Sequence, residues 1–220
     1  MLIIRNRLAA LLGRILMFGG TMAAFILYFI EMSPAWRALC FFEVQAGLIF
    51  LAMLALEIIF NAIDMRHGAS GVAAGLYPPF MLMITGYCFL GSILYFSYIM
   101  PQYGYLTLRS ILFNSALLLF PLLNWLLFEI KGTVPYFYIF LGVAYPLIYM
   151  FGAMFRAIIW PNDALFTPNV MFVYHFLDPS HPSFPWAIWV SLAALLSFLA
   201  LIVLANDLLA RKWRRRIPQI

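Results

Sequence analysis

Apolar residues fill six long stretches of this chain, each broken by a few polar positions. They run over 8–30, 36–63, 74–99, 106–130, 134–160 and 186–209. About 20 apolar residues in a helix span the ~30 Å hydrocarbon layer of a bilayer, so each stretch is long enough to cross one. In lipid a single crossing segment satisfies its backbone only as a helix, so the pattern predicts an all-α bundle of six transmembrane helices forming one domain. Between the stretches lie Glu31-Met32-Ser33-Pro34, the glycine-rich 65–71, the aromatic turn 100–105, Lys131-Gly132-Thr133 and the long proline-rich segment 161–185. These are turn and helix-stop compositions. Pro146, inside stretch five, predicts a kink.

The second stretch organises the rest. It carries Cys40, Glu43, Gln45, Glu57 and Asn61 within an apolar run. A carboxyl group in hydrocarbon costs several kcal/mol unless it is protonated, partnered or facing water. This helix therefore needs its polar face covered by the others. Arg14, near the start of stretch one, is expected to snorkel to the interface.

Composition narrows the class. The 220 residues are 66% hydrophobic and 10% charged, against roughly half and a quarter in soluble domains. The net charge of +5 does not point to nucleic acid, because five of the thirteen basic residues crowd into Arg211-Lys212-Trp213-Arg214-Arg215-Arg216 directly after an apolar stretch. That placement suits an anchor on anionic headgroups. With six crossings both termini share one side, and ten basic residues fall on that side against Arg37, Arg109 and Arg156 on the other. The positive-inside rule then predicts cytoplasmic termini in a plasma membrane. The first stretch is too long for a signal-peptide core and is read as a retained span. Cys40 and Cys88 lie in apolar runs and read as thiols, not a disulfide framework. No metal-ligand spacing and no phosphate-binding glycine loop occurs, so no metal or cofactor is expected.

This topology sets Cys40, Glu43 and Asn114 at a similar depth beneath the outer surface, ~5–12 Å at ~1.5 Å per residue. His175 and Asp178 of the long external segment can fold onto them. Cys40 and Glu43, three apart, are expected to share a helix face. Two readings of Glu43 stand: a site residue, or helix–helix glue through Arg109. A second stripe, Glu57-Asn61-Asp64, lies toward the terminal side, with a proton or ion path from Glu43 to Glu57 as a minor reading. A third stripe on stretch five, Tyr138, Tyr145, Tyr149 and Arg156 with Gly142 and Gly152, offers hydroxyls for a headgroup or for bonds across helices.

Four short segments carry a family resemblance: Trp36-Arg37-Ala38-Leu39-Cys40-Phe41-Phe42-Glu43, Asn124-Trp125-Leu126-Leu127-Phe128, Tyr145-Pro146-Leu147-Ile148-Tyr149 and Phe172-Val173-Tyr174-His175-Phe176-Leu177-Asp178. With six spans, the chain resembles the androgen-induced family of membrane proteins and its bacterial relatives. The resemblance implies a six-helix membrane fold. It also implies hydrolysis of fatty-acid esters of hydroxy fatty acids, by a threonine early in span two and a histidine early in span four. Here those places hold Cys40 and Asn114-Ser115. Cysteine serves as a nucleophile; asparagine cannot act as a general base, which leaves His175 as the candidate base.

The resulting expectation is a membrane protein with an outward-facing pocket for a lipid acyl chain. Cys40, Asn114 and His175 are its candidate catalytic set, and Glu43, Asp178, Tyr145 and Tyr149 its polar lining. The rival readings are an intramembrane ester hydrolase and a small transporter or membrane subunit of a larger complex.

Overall fold

A computed structural model describes residues 4–31, 35–103, 107–159, 172, 174–182 and 184–214. The fold is an all-α bundle containing six helices long and apolar enough to cross a membrane. Helix α1 spans Arg7–Glu31, α2 Phe42–Asp64 and α3 Pro78–Leu94. A π-helical turn, Tyr95–Ile99, joins α3 to α4, Met100–Tyr103. Then come α5 (Leu108–Phe128), α6 (Phe137–Leu141), α7 (Ala144–Ile159) and α8 (Phe184–Arg214).

Local chemistry explains where these helices depart from the expected bounds. Span two does not begin at Trp36. Residues Ala35–Cys40 form a separate 3-10 turn, and Phe41 is extended at φ −83°, ψ 138° before α2 starts. Span three begins later than expected because Pro78 and Pro79 suit a first helical turn, where their missing N–H groups are not needed. It also runs past the expected turn at 100. Pro101 cannot donate to the carbonyl four residues back, and the helix passes it by widening into the π turn, with Met100 N–H bonding to Tyr95 O. Thr107 caps α5 by accepting the Ser110 N–H at 3.2 Å. Span five is two helices, interrupted at 142–143. The break lies at the residue whose carbonyl the Pro146 ring would crowd.

Helix α3 is the axis of the bundle, packed against α2, α5 and α8, while α1 packs on α2 and α5. About 67% of span three is buried, but only 17% of span five, which makes α7 an outer wall. Many outward residues are large and apolar, among them Leu16, Ile30, Ile148, Ile158 and Trp189. A surface of this kind suits lipid and not water.

The end of the bundle that carries the N-terminus is tied by a polar strap. Arg7 donates to the carbonyls of His67, Gly68 and Ser70 and pairs with Asp64 at 3.2 Å. The guanidinium lies against Gly71, which at φ +131° adopts a conformation side chains rarely take. We call this the terminal end and the opposite one the far end.

Candidate functional site

At the far end, the 3-10 turn before α2 and the outer helix α7 leave a groove between them. Leu39, Cys40, Gln45, Tyr145, Ile148, Tyr149, Gly152, Ala153 and Arg156 line about 450 Å³. Two tyrosines from α7 hold its floor: Tyr149 donates to the Cys40 carbonyl at 2.6 Å and Tyr145 to Gln45 Oε1 at 2.9 Å. Of the third stripe, Tyr145 and Tyr149 thus bond across helices, and Tyr138 meets the Tyr77 hydroxyl at 3.1 Å. Leu39 also lines a second groove of about 560 Å³, otherwise walled by Met22, Phe25, Ile26, Phe29, Ile30 and Leu48.

Glu43 does not share a face with Cys40, contrary to expectation. The extended Phe41 breaks the helix between them, so their three-residue spacing carries no helical phase. Half-buried Cys40 opens on the groove, whereas Glu43 is fully buried, with its backbone pressed on Gly91 of α3. A Cβ at Gly91 would lie 2.7 Å from Glu43 Cβ. The glue partner of Glu43 is Tyr174, not Arg109, which lies exposed. The Tyr174 hydroxyl donates to Glu43 Oε2 and accepts the Phe42 N–H at 3.1 Å. Burial, and then the Glu43 charge, hold this phenol well above its ordinary pKa, so it remains a donor.

The remaining predicted residues do not join the groove. Asn114 is fully buried on α5, donating to Ser110 O at 3.0 Å, and does not line the groove. Asp178 caps a local turn, accepting from Ser180 N–H at 2.9 Å and from its hydroxyl at 2.6 Å. His175 begins the 3-10 turn His175–Leu177, and its side chain lies outside the described residues.

The terminal end holds a charge cluster that the sequence reading did not assemble. Arg14 does not snorkel; it is fully buried. Its Nε contacts Glu57 Oε2 at 3.3 Å and Asn124 Oδ1 at 3.2 Å, its Nη2 meets Glu129 Oε1 at 3.2 Å, and its Nη1 donates to the Ala74 carbonyl. Asn124 donates to Glu57 Oε2 at 2.9 Å, and Glu57 Oε1 accepts the Leu76 N–H at 3.3 Å. Glu57 therefore finds its partner across from it in α1 and not along α2 toward Glu43. Burial, then the Glu57 carboxylate and its hydrogen bond, push Glu129 well above the usual carboxylate range. Burial pushes Lys131 down to about 8, against the opposing pull of Glu129. Lys131 donates to the Trp125 and Glu129 carbonyls and sits 4.2 Å from the Trp125 ring centre.

One signal in the sequence points to this cluster. Arg14 lies seven residues in from Arg7, and Glu57 seven in from Asp64, so two antiparallel helices meet in two successive ion pairs.

Between the two ends the interior of α2 is Phe50, Leu51 and Leu54, all buried. The buried hydroxyls at mid-depth turn back to carbonyls: Thr21 to Met17 and Thr85 to Met81. The described side chains thus supply no polar relay from Glu43 to Glu57. Comparison with known proteins returns no matching family model, no matching curated protein and no matching solved structure.

Proposed function

We propose that this chain is an integral protein of the cytoplasmic membrane, with both termini cytoplasmic, that holds a single lipid acyl chain at its far end. The observation that carries this reading is the groove along Cys40, Tyr145 and Tyr149. Its walls are apolar, two tyrosine hydroxyl oxygens on its floor can still accept, and Arg156 is among the lining residues. Ligand sites are of this kind, mostly apolar with a few placed polar groups. The cation suits an anionic or ester-bearing head, and the apolar track past Leu39 suits its hydrocarbon tail. The resemblance to the androgen-induced family, whose substrates carry fatty acyl chains, supports the same class of ligand.

The test uses Gly152, where an added Cβ meets nothing within 4 Å. Gly152→Leu fills the groove without straining the fold. Protein purified in mild detergent is extracted and its bound acyl lipids quantified by mass spectrometry. At least a tenfold loss of retained lipid in Gly152→Leu is expected, with unchanged thermal stability; equal retention refutes the reading. The family resemblance adds ester hydrolysis at Cys40 as the second reading, favoured by the placement of Cys40 on the groove wall. An acyl-directed activity probe that labels the wild type and not Cys40→Ala would establish it.

A further inference from the structure

The far end holds a second polar centre that the groove does not use. Two buried acceptor atoms there, Glu43 Oε1 and Asn114 Oδ1, take no hydrogen bond from any described residue. Both residues are fully buried. They lie at the same level of α3. Glu43 packs on Gly91, and the next residue, Ser92, donates to the Asn114 carbonyl at 2.9 Å.

The surroundings join the two further. Tyr95 bonds to Ser110, the residue one turn before Asn114, and interacts electrostatically with Glu43. Tyr28 also feels Glu43, and its ring stacks on Phe113, the neighbour of Asn114, at 4.7 Å. Buried carboxylate and amide oxygens left unpaired cost roughly 1–3 kcal/mol each, more for the charged group, so such atoms are ordinarily matched by a donor or a cation. Two acceptors cannot satisfy one another. Each calls for a group that carries positive charge or a proton, and their common level on α3 lets one such group serve both.

We propose that Glu43 Oε1 and Asn114 Oδ1 form a binding site for one monovalent cation, a proton or a sodium ion. Hard oxygen donors suit both. A proton on Glu43 makes it a donor to the asparagine carbonyl, and a sodium ion takes both oxygens as ligands. In either case the tyrosine hydroxyl of Tyr174 fixes the other carboxylate oxygen, so Oε1 alone faces the cation. The titratable groups around Glu43 are Tyr28 from α1, Tyr95 beyond α3, Tyr149 from α7 and Tyr174 from the loop before α8. All are phenols and neutral near pH 7. Glu31 lies beyond Tyr28 and Tyr95, and at the terminal end Glu129 is also held above the usual carboxylate range, so the part of a response below pH 8 that Glu43→Gln removes is the part that reports Glu43.

The experiment follows thermal unfolding of the full chain in detergent. Sodium chloride is compared with choline chloride at equal ionic strength, and separately pH is varied from 8 to 5. A Tm that rises with sodium and not with choline, and no longer does so in Glu43→Gln, identifies a sodium ion. No salt response, with a Tm that rises as pH falls and a slope that Glu43→Gln reduces, identifies a proton. Asn114→Leu, which keeps the branched shape and removes the oxygen, must weaken the same response and serves if Glu43→Gln does not fold. A wild type indifferent to both, or a response that survives both substitutions, overturns the proposal.

Discussion

Replacing Arg14 with alanine removes the only cation in direct contact with both Glu57 and Glu129 among the described ion pairs. It leaves Glu57, fully buried, with Asn124 and the Leu76 N–H as its remaining partners. It also strips a donor from the Asn124 side chain and from the Ala74 carbonyl. Breaking a buried pair by deleting one partner costs about 3–5 kcal/mol, because the surviving charge has neither water nor a counter-ion. Loss of the packing over Phe128, whose ring centre lies 5.6 Å from Arg14 Cζ, adds to this. The same physics makes an opposite prediction for the whole cluster. Arg14→Met combined with Glu57→Gln and Glu129→Gln removes all three charges together, and apolar or neutral replacements of a buried ion set are often close to neutral. Equilibrium unfolding in mixed detergent micelles, on the single and triple variants, measures both. The expectation is a loss of about 3–5 kcal/mol for Arg14→Ala and recovery of most of it in the triple variant. An Arg14→Ala protein within about 1 kcal/mol of wild type would refute the view that this cluster clamps α1 to α2.

Lys131 makes a pH prediction of definite sign. Its folded value of about 8 lies below the ordinary 10.5, so between these the unfolded chain holds a proton that the folded one has shed. Stability therefore rises with pH over this window, and Lys131→Met should flatten that rise in a Tm–pH series. Gly91→Ala forces a methyl to within 2.8 Å of Glu43 Cα, which is backbone and cannot swing aside. Overpacking of this kind should cost about 1–3 kcal/mol in the same unfolding assay, whereas Gly152→Ala should be silent. Tyr174→Phe deprives both Glu43 Oε2 and the Phe42 N–H of their partner. A loss of about 1–3 kcal/mol is expected, together with faster proteolysis in the loop before α8; an unchanged cleavage pattern would argue against Tyr174 as the tether.

Which side chains meet was harder to read than which segments are helical. The six helices follow from hydrophobicity and length; their ends did not, although local signals mark them in the structure, with Pro78 opening α3, Thr107 capping α5 and Pro146 following a break where only a kink was expected. The pairing of Arg14 with Glu57 was also written in the chain, as two seven-residue offsets counted from Arg7 and Asp64. It becomes visible only once α1 and α2 are known to run side by side. Cys40 and Glu43 show the reverse case. Their spacing suggested a shared face, but a single extended residue, Phe41, turned one toward the groove and the other into the core.

Sequence alone therefore determined the class of protein and the number of crossings, because transfer of apolar side chains into lipid is a sum over residues and needs no knowledge of neighbours. It determined as well that Glu43 and Glu57 had to be sheltered. Tertiary structure alone decided how: Glu57 by a guanidinium, Glu43 by a phenol, with an apolar layer between. Electrostatic and hydrogen-bond energies depend on distances of a few ångströms between helices, and no one-dimensional pattern carries those distances.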